Sequence, residues 1–98
     1  MPILVIQHPV ADFAAWKKAF DSDPMGRARN GVTGYTIYHD DDDPGFVVVN
    51  LEFASLEKAQ AFLPALRELW RRVGDKLGFG STEGVQARIL DEVERVEF

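Results

Sequence analysis

The densest group of chemically active side chains in this sequence is the run HDDDD, which joins His39 to four aspartates at positions 40–43. Carboxylate and imidazole groups are ligands for divalent cations, so a metal site is one interpretation. The spacing argues against it, because adjacent residues of an extended chain point in opposite directions and no glycine-pivoted calcium loop is present. The pair Pro-Gly at 44–45 follows, and these residue types favour turns. We therefore interpret Asp40 and its neighbours as a solvated turn and expect no metal.

His8 is the candidate catalytic residue, because histidine titrates near neutral pH and can act as a general base. No serine or cysteine stands beside it in a recognisable nucleophile motif. The alternative is a histidine with only a structural role at the rim of the fold.

Four further side chains are candidate binding residues: Tyr35, Tyr38, His39 and Trp70. The two tyrosines are three residues apart on one predicted strand, so they point to opposite faces. One phenol is then expected to reach an apolar interior, where it could bind a phenolic or quinone ligand. For each of these residues a purely structural role remains the alternative.

The glycine-rich stretch GDKLGFGSTEG, residues 74–84, raises the question of phosphate binding. It lacks the Gly-Lys-Ser/Thr ending of a P-loop, and a predicted strand follows it instead of a helix. We expect a mobile lid over a pocket rather than a phosphate site.

Length and composition restrict the class of protein. The chain has 98 residues, no cysteine, a formal net charge of −5 and 46% hydrophobic residues. We expect one domain, residues 1–98, without disulfides or thiolate metal sites. The acidic balance argues against nucleic acid and anionic membranes as partners. The N-terminal segment resembles neither a signal peptide nor a membrane span, so a cytoplasmic location is expected.

Hydrophobic periodicity predicts six elements in the order βαββαβ. Asp12 and Ser55 are suitable N-caps for the two helices. Pro64 is costly inside a helix, so the second helix is expected to be kinked or split there. The predicted strands cover residues 3–8, 30–39, 46–53 and 85–98, the last with a bulge near residues 90–91.

This order is typical of an α+β, ferredoxin-like sandwich with an antiparallel sheet of order 4-1-3-2 and both helices on one face. Strands one and two then run parallel, so His8 and His39 finish at one rim of the sheet. Asp12 and the end of the second helix, with Trp70, are expected at the same rim.

The strands are apolar on both faces. In the third strand Val47 and Val49 share one face, while Phe46 and Val48 share the other; the first strand likewise has apolar residues on both sides. Two helices cover only one face, and a solvated second face would alternate with polar residues. The simplest cover is a second copy of the same sheet, which predicts a homodimer.

Three stretches carry a resemblance to a known family: HPVADFAAWKKAFD at 8–21, GVTGYTIY at 31–38, and DDPGFVVVNLEFASLEKAQAFL at 42–63, continued by PALRELWRRVG. They resemble the dimeric α/β-barrel superfamily, and most of all its small antibiotic-biosynthesis-monooxygenase-like and polyketide-cyclase-like members. The resemblance implies two sheets packed into a dimeric barrel, with cavities for small aromatic or polyketide molecules. The haem-degrading members use an asparagine on the first strand, where this chain has Gln7 and His8, so no residue is transferred from them.

Two functions follow as hypotheses. The first is an enzyme that acts on a small aromatic or polyketide-like molecule as a monooxygenase or cyclase, without metal, flavin or other cofactor. The second is a non-catalytic module for ligand binding or assembly, which the lack of a nucleophile or cofactor motif favours. A closed cavity of a few hundred Å³ that holds His8, a tyrosine or Trp70 would favour the enzyme.

Overall fold

A computed structural model describes residues 1–23, 25–73 and 85–98. The elements in chain order are β1 (Ile3–Pro9), α1 (Phe13–Asp21), a short 3-10 helix (Ala28–Asn30), β2 (Val32–His39), β3 (Phe46–Phe53), α2 (Leu56–Val73) and β4 (Gln86–Leu90). The predicted βαββαβ order and the predicted bounds of β3 are confirmed. The predicted lid, residues 74–84, lies outside the described residues.

The four strands form one antiparallel sheet in the order β2-β3-β1-β4, as predicted. Leu4 of β1 lies opposite Leu51 of β3, and His8 lies opposite Val47. These side chains are all buried, so this face of the sheet forms the core. The buried helix residues pack against it: Trp16, Ala59, Phe62, Leu66 and Trp70.

Both helices begin at the predicted N-caps. The Asp12 carboxylate accepts a hydrogen bond from the backbone N–H of Ala15, and the Ser55 hydroxyl accepts one from the N–H of Lys58. Each bond satisfies an amide that the first turn leaves without a partner. The caps fix where each helix starts above the sheet.

α2 is one helix that contains Pro64, so of the two predicted alternatives, a kink or a split, the split is wrong. Proline removes one helical hydrogen bond, yet tertiary packing holds the helix on both sides of it. Phe62 before the proline and Leu66 after it are both buried against the sheet. Pro64 itself is exposed.

The last strand is shorter than predicted. β4 pairs only with β1, and its final residue, Leu90, lies opposite Ile3, where β1 begins. The ladder ends because β1 offers no further residue for pairing, so residues 91–98 are not a strand and the predicted bulge is absent. Val93 and Phe98 in this segment are exposed.

The second face of the sheet is apolar in part, and no helix of the described residues lies on it. Ile3, Val5 and Val48 are half-buried there, and Tyr38 of the same face is exposed. None of the helices in the described segments is long and apolar enough to cross a membrane. This second face of the sheet is the surface that the predicted second copy of the chain would cover.

The aspartate run is a turn, as interpreted from the sequence. The N–H of Asp43 donates to the carbonyl of Asp40, and the N–H of Phe46 donates to the carbonyl of Asp43. The Asp40 carboxylate also accepts from the N–H of Asp42, and the Asp43 carboxylate from the N–H of Gly45. Two of the four carboxylates thus hold the backbone of the connection between β2 and β3.

The other two aspartates are expected to be dispensable. The double variant Asp41→Asn with Asp42→Gly keeps turn chemistry and reduces repulsion between carboxylates, so its unfolding free energy should stay within about 0.5 kcal/mol of the parent or rise. Asp43→Ala removes the hydrogen bond from the Gly45 N–H to the Asp43 carboxylate. It should lower the free energy of unfolding, measured for both variants by denaturant titration, by about 1 kcal/mol. A melting temperature that depends on calcium or manganese in the parent and not in the double variant would support a metal site instead.

Candidate functional site

A cavity of about 70 Å³ lies between the sheet and the two helices and opens to solvent. Its floor is the core face of β1 and β3, with Ile6, His8 and Val49. α1 provides Trp16 and α2 provides Trp70. The cavity therefore lies between the sheet and both helices, with His8, near the end of β1, in its wall.

His8 is the polar group on the sheet side of this cavity. It is 1% exposed, and its ring centroid lies 5.6 Å from that of Trp16. Its Nδ1 lies 3.0 Å from the carbonyl oxygen of Pro9. A carbonyl only accepts, so Nδ1 carries the proton in this contact and Nε2 carries the lone pair of the neutral ring.

Burial lowers the pKa of His8 from its ordinary value of 6.5, and the hydrogen bond to the Pro9 carbonyl opposes part of this shift. The cause is the loss of hydration that the charged ring would suffer. His8 is therefore neutral at pH 7. A neutral imidazole with a lone pair is the form that accepts a proton as a general base.

Aromatic rings form much of the remaining wall. Trp16 lies 5.3 Å from Phe20 between ring centroids, and both line the cavity. Trp70 is 7% exposed and follows Leu66 by one helical turn. Such walls suit a flat apolar ligand.

Two charged residues also line the cavity, and the sequence did not single them out. Arg27 and Asp23 form an ion pair with 3.5 Å between Nε and Oδ1. The Arg27 guanidinium carbon lies 3.9 Å from the centroid of Phe20. In the sequence, Pro24 and Gly26 indicate only that the first helix ends before Arg27. The four-residue spacing of Asp23 and Arg27 was the signal from which the ion pair could have been predicted.

The predicted site residues separate into two groups. His8 and Trp70 both line the cavity. Tyr35, Tyr38 and His39 are not among its lining residues, and all three are exposed. Neither phenol reaches the interior of the single subunit, and a binding role for the three residues stays a prediction.

Tyr35 contacts the cavity only indirectly. Its ring packs edge-on against Phe20 at 5.0 Å, and the Arg27 guanidinium carbon lies 5.2 Å from its centroid. Tyr38 lies on the opposite face of the sheet, beside Val48. The two tyrosines point to opposite faces, as predicted.

The rim predicted from the topology is present. His8 and His39 both lie opposite Val47, on either side of β3, so they share one level of the sheet. His39 packs edge-on against Phe13 at 6.3 Å, next to the Asp12 cap. The rim brings the histidines to one end, but β3 separates them and only His8 enters the cavity.

Within the described segments, no three histidine, cysteine or acidic side chains come together as a potential metal site. Among the described residues that line the cavity, the ionisable side chains are one imidazole, one carboxylate and one guanidinium. The carboxylate already pairs with the guanidinium. This arrangement is suited to moving a proton and to binding an anionic group.

Solved structures provide the comparison with known proteins. A cofactor-independent oxygenase from Streptomyces nogalater, in a mutant form, superposes with a TM-score of 0.71 at 12% identity, covering 97% of this chain and 95% of that one. A monooxygenase from Streptomyces coelicolor, solved with the ligand nanaomycin D, gives 0.65 at 15% identity, covering 98% and 90%. The chain has the ferredoxin-like fold of these oxygenases.

The fold is shared more widely. A dimeric ferredoxin-like protein from an uncultured marine organism gives a TM-score of 0.67 at 12% identity, covering 97% of both chains. Another neighbour is named an antibiotic biosynthesis monooxygenase. No family model and no curated protein matches the sequence. These likenesses confirm the predicted ferredoxin-like fold.

Proposed function

We propose that this protein is a cofactor-independent oxygenase, located in the cytoplasm, that uses O₂ on a small aromatic or polyketide-like molecule. The observation that carries the proposal is His8, a buried neutral imidazole in the wall of an aromatic cavity. The names of the structural neighbours, a cofactor-independent oxygenase and a monooxygenase in complex with the ligand nanaomycin D, support it.

His8 would start the reaction as a base. Nε2 accepts the proton of a phenolic or enolic hydroxyl, and the negative charge of the resulting anion spreads onto a ring carbon. That carbon gives electrons to O₂ and forms a carbon–oxygen bond. The protonated His8 returns its proton to the resulting peroxide anion, and the hydroperoxide then loses water. For anthrone the balance is one anthrone plus one O₂ to one anthraquinone plus one water, so the substrate itself is the reductant.

The cavity volume limits how a substrate binds. About 70 Å³ is well below the roughly 300 Å³ at which pockets for drug-sized ligands begin. A ring system must therefore enter by one edge and leave the rest in the open mouth, or the half-buried side chains Phe20 and Leu69 must move. The same observation favours the second candidate function, a non-catalytic module, whose interior would be nearly filled.

We further propose that the protein is a homodimer, joined through the face of the sheet that carries Val5 and Val48. The half-burial of these residues without a covering helix supports this arrangement. The neighbour described as a dimeric ferredoxin-like protein supports it too. An interface of about 1,600 Å² in total would be ordinary for a specific complex.

Oxygen uptake tests the proposed function. The purified protein, treated with a chelator and free of flavin absorbance, is mixed with anthrone in an oxygen-electrode cell. We expect O₂ consumption and anthraquinone formation in a ratio of one to one, above the spontaneous rate. In ¹⁸O₂ the new carbonyl oxygen of the anthraquinone should carry the label.

Two controls separate the candidate functions. Trp70→Phe keeps an aromatic wall and should retain turnover, whereas Trp70→Ala removes the ring and should reduce it. If the parent binds anthrone but oxidises it no faster than buffer does, the protein is a binding module and the oxygenase proposal fails.

A further inference from the structure

We propose that Arg27 determines the ligand specificity of the cavity by pairing with an acidic oxygen, a carboxylate or phenolate, on a planar ligand. The inference rests on the proposed use of this cavity as the ligand site. It names the class of ligand that the cavity selects: an aromatic acid rather than a neutral aromatic molecule.

Positive charge in the wall of the cavity comes from Arg27. Among the described residues that line it, Arg27 is the one positively charged side chain. Its side chain is only 16% exposed, so water hydrates the guanidinium poorly. A cation in such surroundings gains more from an anionic partner than an exposed cation does.

The existing partner of Arg27 leaves room for a second anion. Asp23 is 38% exposed and its Oδ1 lies 3.5 Å from Nε, which is long for a charge-assisted hydrogen bond. The Nη1 group donates to the Phe20 carbonyl at 2.9 Å. The Nη2 group makes no hydrogen bond to any residue in the described part of the chain, so its donors can serve a ligand oxygen.

The guanidinium is held in place before any ligand arrives. The backbone N–H of Arg27 donates to Asp23 Oδ1 at 2.9 Å, and its carbonyl accepts from Asn30 and Val32. The plane of the side chain packs over Phe20. A preorganised cation loses little conformational entropy on binding, which strengthens selection.

The position of Arg27 also complements His8. Both residues line one cavity, with aromatic rings between them. A ligand that gives a proton to His8 becomes more negative, and Arg27 would stabilise that charge. An acidic oxygen on the ligand thus explains why an apolar cavity contains a guanidinium.

Salicylate and salicylamide are the probes. They have one ring of the same size and differ in charge, and both fluoresce, so each can be titrated against the whole protein at pH 7. We expect the parent to bind salicylate more tightly than salicylamide. Arg27→Gln should weaken salicylate binding by about tenfold to a hundredfold and change salicylamide binding less than twofold.

Two more variants keep the test decisive if Arg27→Gln folds poorly. Arg27→Lys keeps the charge without the planar fork and should retain part of the preference for salicylate. Asp23→Asn keeps the acceptor for the Arg27 N–H and tolerates the positive φ of 50° at this position, while it removes the competing charge. It should bind salicylate more tightly than the parent.

Equal affinity of the parent for the two probes, no measurable binding of salicylate, or unchanged salicylate affinity in both Arg27→Gln and Asp23→Asn would overturn the inference. The titration needs neither O₂ nor proton transfer. An Arg27-dependent preference for salicylate without any anthrone oxidation would therefore reject the oxygenase and keep the inference.

Discussion

Val48→Asp is expected to convert the proposed dimer to a monomer. Val48 lies in the central strand β3, on the face of the sheet without helices, and is half-buried. In a twofold-symmetric dimer each substitution places a carboxylate on both surfaces at once. Burying these charges against apolar side chains should weaken association at least about a hundredfold, since like charges at an interface cost several kcal/mol.

Sedimentation at micromolar concentration measures the effect. The parent should sediment with twice the subunit mass of 11.0 kDa, and the variant with the subunit mass itself. Gln60→Asp is the matched control, because it adds the same charge on an exposed position of α2 and should leave the dimer intact. A parent that sediments as a monomer, or a Val48→Asp variant that stays dimeric, would contradict the assignment of this face.

The topology could be predicted because its signals are local. In β3 the alternation of Val47, Val49 and Leu51 with their neighbours in the sequence becomes the observed alternation of buried and half-buried side chains. Asp12 and Ser55 mark helix starts because a cap is a contact between near neighbours. With six elements fixed in order, the crossover rule leaves few arrangements of the sheet.

The errors arise where a distant partner decides the outcome. The apolar pattern after Leu90 is compatible with a strand, but β1 has no residues left to pair with it. Pro64 is compatible with a break, but burial of Phe62 and Leu66 holds the helix together. A local pattern records a preference, and tertiary contacts decide whether that preference is realised.

The site could be predicted only in part for the same reason. His8 and Trp70 were found because topology brings the ends of β1 and α2 together. Arg27 was missed because its importance depends on Phe20 and on the cavity, and neither relation is visible along the chain. Alternation predicted that either Tyr35 or Tyr38 would reach an apolar interior, but it fixes only a face and not the depth of burial.

His8→Asn is expected to abolish turnover of anthrone, with a fall in kcat of about a hundredfold to ten-thousandfold. The asparagine amide can still donate to the Pro9 carbonyl as Nδ1 does, but it has no group that accepts a proton at neutral pH. The variant should therefore fold and bind ligand while it fails in the chemical step. Wild-type turnover in a folded His8→Asn protein would remove His8 from the mechanism.

The pH dependence provides a second and independent measurement of the same residue. Because burial lowers the pKa of His8 below 6.5, the base stays neutral as pH falls from 8 to 6.5, and kcat/KM should decline only at lower pH.

The free energy of unfolding should depend on the protonation of the same residue. Below pH 6.5 the unfolded chain protonates this histidine before the folded chain does, so protons favour unfolding. The contribution of neutral His8 to stability is therefore complete above pH 6.5 and is lost as pH falls from there to the lowered pKa. His8→Asn should flatten this part of the curve of unfolding free energy against pH. A parent whose activity and stability both begin to fall above pH 6.5 would mean that His8 is not the buried neutral base described above.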